Sequence, residues 1–159
     1  MANNILVVYF SCSGITANAA KTLAKVTGGE LKEIIPAVPY TKDDLNWMDK
    51  NSRSTIECRD QACRPEIAEK IDINGYDVIY VGFPIWWYRE PNIIDTFLES
   101  NNFSGKTIVP FATSGSSGLG KSAANIRKLC PGSTVKEGFM LNHNPSTEDV
   151  KNILIKFDL

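Results

Sequence analysis

The chain has 159 residues, 43% hydrophobic and 22% charged, with a formal net charge of −1. That length fits one domain, spanning residues 1–159, which can bury enough core to need no staple. The charge excludes a basic face large enough for nucleic acid, and no apolar run reaches the ~20 residues of a membrane span.

The N-terminus carries no positive region, and its apolar run is too short for a signal peptide. A cytoplasmic protein is therefore expected, with Cys12, Cys58, Cys63 and Cys130 mainly reduced. Ile5 to Phe10 is a continuous apolar run suited to a strand buried on both faces. Ile15, Ala19, Leu23 and Val26 follow at helical spacing, stopped by Gly28-Gly29. Glu30 to Ile35 alternates as a second strand. The polar stretch from Pro39 to Arg64 has little periodicity and reads as an excursion at one edge, with a short helix near Leu45 to Asp49. Pro65 to Ile71 reads as a helical turn with proline in its first turn.

Asp77 to Phe83 is the next buried strand, and Ile93, Ile94, Phe97 and Leu98 mark one face of a helix beginning near Pro91. Thr107 to Ala112 is a strand. Leu119, Ala123, Ile126 and Leu129 form a helix ended by Pro131-Gly132. Thr134 to Leu141 is a last strand, bent at Gly138. Ser146 and Asp149 resemble a capping box ahead of Val150, Ile153, Leu154 and Phe157. Five alternations of strand and helix predict an α/β fold, a doubly wound five-stranded parallel sheet with helices on both faces. Ligands bind such sheets beyond the carboxyl ends of the strands, where strand order reverses.

Three loops sit at those ends. Ser11 to Asn18 joins a buried strand to a helix start, where free N–H groups and a partial positive charge favour phosphate. Ser11, Ser13 and Thr16 add hydroxyls, and Gly14 lets the backbone turn closely; an ordinary cap needs fewer such groups. Phe83 to Pro91 carries Trp86, Trp87 and Tyr88 between prolines. Adjacent tryptophans in an extended loop point different ways, so at most one is expected fully in the core, and the aromatic mouth suits a flat ligand. Thr113 to Gly120 is rich in small residues that can line a ring's polar edge.

Together these loops resemble the flavodoxin family. Ser11-Cys12-Ser13-Gly14-Ile15-Thr16 matches its phosphate motif, and Pro84-Ile85-Trp86-Trp87 and Thr113-Ser114-Gly115-Ser116 look like the two ring loops of its bacterial branch. The resemblance covers nearly the whole chain. It implies noncovalent flavin mononucleotide (FMN), with Ser11, Ser13, Gly14, Ile15, Thr16 and Asn18 on the phosphate. Pro84, Ile85, Trp86 and Trp87 would flank the isoalloxazine, and Thr113, Ser114, Gly115 and Gly118 would meet its edge. The implied role is electron transfer with redox partner proteins or a small electron acceptor, with no side chain needed as acid or base. Two features differ from the acidic electron carriers of the family: near-neutral charge, and no glycine between Pro84 and Pro91. They point to an alternative, a small NAD(P)H:quinone-type reductase; a non-redox FMN-binding module is a third reading.

Other readings are weaker. Gly115 to Ser122 fits the P-loop pattern, yet one strand follows it and no other strand ends in an aspartate suited to Mg²⁺. Cys12 lacks the arginine that a phosphatase loop needs, because position 18 is Asn18. A phospho-acceptor domain needs carboxylates where Ser11 and Pro84 stand. Cys58 and Cys63 lack a second pair or histidine cluster for a metal, and His143 reads as a loop residue. Lys121 and Arg127 read as a solvated face, whereas Arg89 and Glu90 lie beside the ring loop, placed to contact the flavin or a partner.

Overall fold

The structure, a computed structural model, describes residues 4–11, 14–46, 48–60, 62–86, 89–113, 119–142 and 145–156. In chain order its elements are β1 (Ile5–Tyr9), α1 (Ile15–Thr27), β2 (Glu30–Glu33), α2 (Arg53–Arg59), β3 (Val78–Pro84) and α3 (Asn92–Glu99). β4 (Thr107–Thr113), α4 (Ser122–Leu129), β5 (Thr134–Val135), β6 (Phe139–Met140) and α5 (Thr147–Lys156) complete it. All strand pairs are parallel, in the order β2-β1-β3-β4-β5, with β6 also on β4. The chain runs outward from β1 to β2, then crosses back to β3. The reversal falls between β1 and β3, and sheets of this kind bind ligands at the carboxyl ends beside such a reversal.

Leu6, Val7 and Val8 of β1 and Ile79 and Val81 of β3 are fully buried, as expected of strands covered on both faces. One face packs Val7, Val109 and Phe111 against Ala20 and Leu23 of α1 and Val150 and Leu154 of α5. The other packs Leu6, Val8, Ile79 and Ile108 against Ile94, Phe97 and Leu98 of α3 and Ile126 of α4. The predicted capping box is present: the Ser146 N–H donates to Asp149 Oδ2 (3.0 Å) and the Asp149 N–H to Ser146 Oγ (3.1 Å).

Three local expectations need correction. The last strand is broken rather than bent. Gly138 has φ 82, and a Cβ there would lie 2.2 Å from the Pro110 carbonyl oxygen, so β5 and β6 pair with β4 on either side of the break. Pro65 to Ile71 is not a helical turn, because Ile67 forms an antiparallel bridge to Pro36. The Ala37 N–H donates to the Glu66 carbonyl (2.8 Å) and the Ala68 N–H to that of Ile35 (2.7 Å). Residues 36–67 thus form a lobe closed at a narrow neck. Inside it the helix lies at Arg53–Arg59 rather than near Leu45 to Asp49, opened by Ser52, whose Oγ accepts from the Thr55 N–H (3.4 Å).

Candidate functional site

The loop after β1 is ordered by its own hydrogen bonds. The Gly14 N–H donates to Ser11 Oγ (3.1 Å), and Gly14 adopts φ 88 to cap α1 without a side-chain cap bond. The first intrahelical bond runs from the Asn18 N–H to the Gly14 carbonyl (3.0 Å). The N–H groups of Ile15, Thr16 and Ala17 therefore have no partner within the helix. No acidic residue sits in this first turn, and a Cβ at Gly14 would meet nothing within 4 Å. Open space, donors without a partner in the helix and the positive end of a helix fit a phosphate group.

Three contacts fasten the loops to one another. The buried Thr16 hydroxyl lies 2.7 Å from that of Thr113, at the end of β4. The Ile85 N–H donates to the Thr113 carbonyl (3.0 Å), extending the β3–β4 pairing past Pro84. The Trp86 ring meets Phe10 edge-on at 5.8 Å and Tyr40 at 5.5 Å. Ser11, Gly14, Ile15, Thr16 and Asn18 thus gather at the start of α1, beside Pro84, Ile85, Trp86 and Thr113 at the neighbouring strand ends. Ser13, Trp87, Ser114, Gly115 and Gly118 lie outside the described residues, as do Cys12, Tyr88 and His143. Trp86 packs on the core cluster with Tyr40, so of the two tryptophans it is one that braces the loop.

The Trp86–Arg89 pair closes that loop as an antiparallel bridge, with N–H···O distances of 3.0 and 3.3 Å. Arg89 and Glu90, expected to face a flavin or a partner, are buried instead. Arg89 donates to Glu90 Oε1 (3.0 Å) and also pairs with Asp95; Arg64 reaches Asp95 at 3.9 Å and pairs with Glu99. Burial, the hydrogen bond to Asp95 and that carboxylate's charge push Glu90 up to about 8. Burial also raises Asp95, against the pull of Arg89 and Arg64. Cys130 is driven up to about 12 by burial and Asp95, and Cys63 is raised by burial and then by Glu57 and Asp60. Neither thiol is an activated nucleophile. Among the described residues no cluster of His, Cys, Asp or Glu could hold a metal.

Sequence reading missed Tyr40, Asn92 and Asp95. The Asn92 amide donates to the carbonyls of Glu57 (2.8 Å), Asp60 (2.8 Å) and Cys63 (3.1 Å), tying the lobe to the start of α3. Tyr40 donates to Glu57 (2.6 Å) beneath the Arg53 guanidinium, 3.8 Å from the ring centroid. The hydrogen bonds among these contacts span 17 to 35 residues, so no local pattern announces them.

A doubly wound parallel sheet with a helix start at its switch point defines a class of nucleotide-binding α/β proteins. Within that class the chain belongs to the flavodoxin family, whose model matches residues 4–157. A Bacteroides uniformis protein described as a flavoprotein is 45% identical, with a TM-score of 0.92 over 98% of this chain and 99% of that one. A Bacteroides eggerthii protein described in the same way is 43% identical, with a TM-score of 0.90 over 99% of both chains. A Lactobacillus acidophilus flavoprotein in complex with FMN shares the fold at 24% identity, with a TM-score of 0.70 over 99% of this chain and 100% of that one. None of the curated proteins matches the chain.

Proposed function

We propose that the protein binds FMN at the β1, β3 and β4 strand ends and uses it to transfer electrons. The observation that carries this reading is the cradle at α1, with N–H groups at Ile15 to Ala17 that have no partner within the helix and open space at Gly14, hydrogen-bonded through Thr16 to the end of β4. Family membership and the FMN complex of the Lactobacillus acidophilus relative support it. FMN, when bound, supplies reversible one- or two-electron chemistry at its ring.

The chain's own contribution is binding and orientation. Ser11, Ser13, Gly14, Ile15, Thr16 and Asn18 hold the phosphate. Pro84 to Trp87 flank the ring, and Thr113, Ser114, Gly115 and Gly118 meet its edge. The Phe10–Tyr40–Trp86 cluster holds the ring loop against the core, so that wall is set before the cofactor arrives. Electrons pass to redox partner proteins or a small acceptor in the cytoplasm. Cys63 and Cys130 are free thiols, and among the described residues no helix is long and apolar enough to cross a membrane.

A second reading, a small NAD(P)H:quinone-type reductase, is favoured by the glycine-free ring loop closed by two backbone bonds. Such a loop resists the peptide flip that glycine permits beside a flavin. Anaerobic dithionite titration of the FMN-loaded protein separates the readings. A long-wavelength band that grows to half reduction and then fades supports a one-electron carrier. Direct bleaching supports the reductase, and failure to retain FMN overturns both.

A further inference from the structure

Glu90 has no exposed surface and follows directly on the Trp86–Arg89 bridge that closes the ring loop. It shares one guanidinium, Arg89, with the equally buried Asp95, whose carboxylate helps to raise it. Among the described residues, Glu90 Oε2 and Asp95 Oδ1 have no hydrogen-bond partner. Two buried carboxylates with unsatisfied oxygens are costly, and a proton held between them removes one charge and supplies one donor. The remaining groups facing the pair leave room for that proton. Arg64 comes from the lobe, 3.9 Å from Asp95 and committed also to Glu99. Cys130, at the end of α4, is a neutral thiol, since burial drives it up to about 12. A cavity of about 160 Å³ lined by Arg64, Arg89, Asp95, Asn125, Lys128 and Leu129 lies on the Asp95 side of the pair.

We propose that the Glu90–Asp95 pair takes up a proton when a flavin held by the adjoining loop is reduced, so that the protein compensates the incoming negative charge. The inference rests on the FMN reading above. One electron enters the ring from a reductase or other reductant. One proton enters the pair from water through the cavity and forms an O–H bond on one carboxylate, and both leave on reoxidation. The pair does not touch the reacting atoms; it is a positioning device for charge. Burial holds Glu90 up to about 8, within reach of a proton exchange near neutral pH.

The test compares FMN-loaded wild type with Glu90→Gln, reduced anaerobically in weak buffer with an indicator dye between about pH 7 and 9.5. Protons taken up per flavin and the midpoint potential are both read. The variant retains the flavin's own protonation, so the difference isolates the pair. Wild type should take up more, by up to about one proton per flavin, most clearly just above pH 8, and its potential should fall more steeply with pH over that window. Equal proton counts with parallel potential curves overturn the proposal. Should Glu90→Gln not fold, Asp95→Asn carries the same comparison. Failure of the wild type to retain FMN removes the functional reading and this inference with it. Retention with equal counts removes the inference alone.

Discussion

Across the 2.7 Å contact between Thr16 and Thr113 only one hydroxyl donates. If Thr113 donates, the Thr16 proton is left for a phosphate oxygen, and the same contact then orders the cradle and completes it. Thr16→Val keeps the shape and removes the donor. It should weaken FMN about tenfold, or ~1.4 kcal/mol, while riboflavin, which has no phosphate, loses far less. Calorimetric titration of both ligands checks this; an equal loss for both would reduce Thr16 to a tie between loops. Glu90 gives a second prediction at this scale. Its carboxyl is raised to about 8 in the folded chain against the usual 4.5, so the folded state keeps a proton that the unfolded chain has released. Stability is therefore full below the unfolded value and falls as pH rises through that window, by up to ~1.4 kcal/mol per pH unit. In apoprotein melts from about pH 5 to 9 the wild type should lose stability relative to Glu90→Gln, and the variant should be the more stable at the alkaline end. Parallel melting curves would mean that the pair is not protonated as described.

The lobe of residues 36–67 shows how elements depend on distant groups. Its neck is a single antiparallel bridge, and α2 is a helix of 7 residues, too short to persist alone. Its C-terminal carbonyls are held by the Asn92 amide. Asn92→Ala strips those carbonyls of a buried donor. It should cost about 2 kcal/mol in urea unfolding and make the lobe the first site cut in limited proteolysis. Unchanged cleavage would show that Tyr40 and Arg53 suffice to hold it. The contrast with the sheet explains what the sequence revealed. β1, β3 and β4 are legible because burial on both faces demands unbroken apolar runs such as Ile5 to Tyr9, and the cradle because a helix start needs Gly14 and hydroxyls in place. The chain break at Gly138 was legible in position but not in kind, because the Pro110 carbonyl that forces it belongs to another strand. α2 and the Arg89–Glu90–Asp95 cluster were not legible as they stand. A polar segment without periodicity reads as solvent-facing, and only contacts over long separations bury it.

At the scale of the whole molecule the two helix layers differ in what they lend to the site. The α1 side supplies the helix start at which we place the phosphate. The α3 and α4 side, with the lobe, supplies the wall behind the ring loop and the buried acid pair. The sheet between them is one parallel ladder, so the strand ends that carry both halves belong to one hydrogen-bonded unit. Ligand bound across these ends should stabilise the folded chain as a unit. At one hundred times its dissociation constant FMN would add about 2.7 kcal/mol, or roughly 5–10 °C in melting temperature for a chain of this size. Riboflavin at the same concentration should add much less, because the phosphate engages the N–H groups at the start of α1 and the ring alone engages only the far wall. Thermal melts of the apoprotein with each ligand decide the matter. Equal shifts would place the main binding energy on the ring loops and deny the cradle its role, whereas a shift confined to FMN would locate that energy at Gly14 to Ala17.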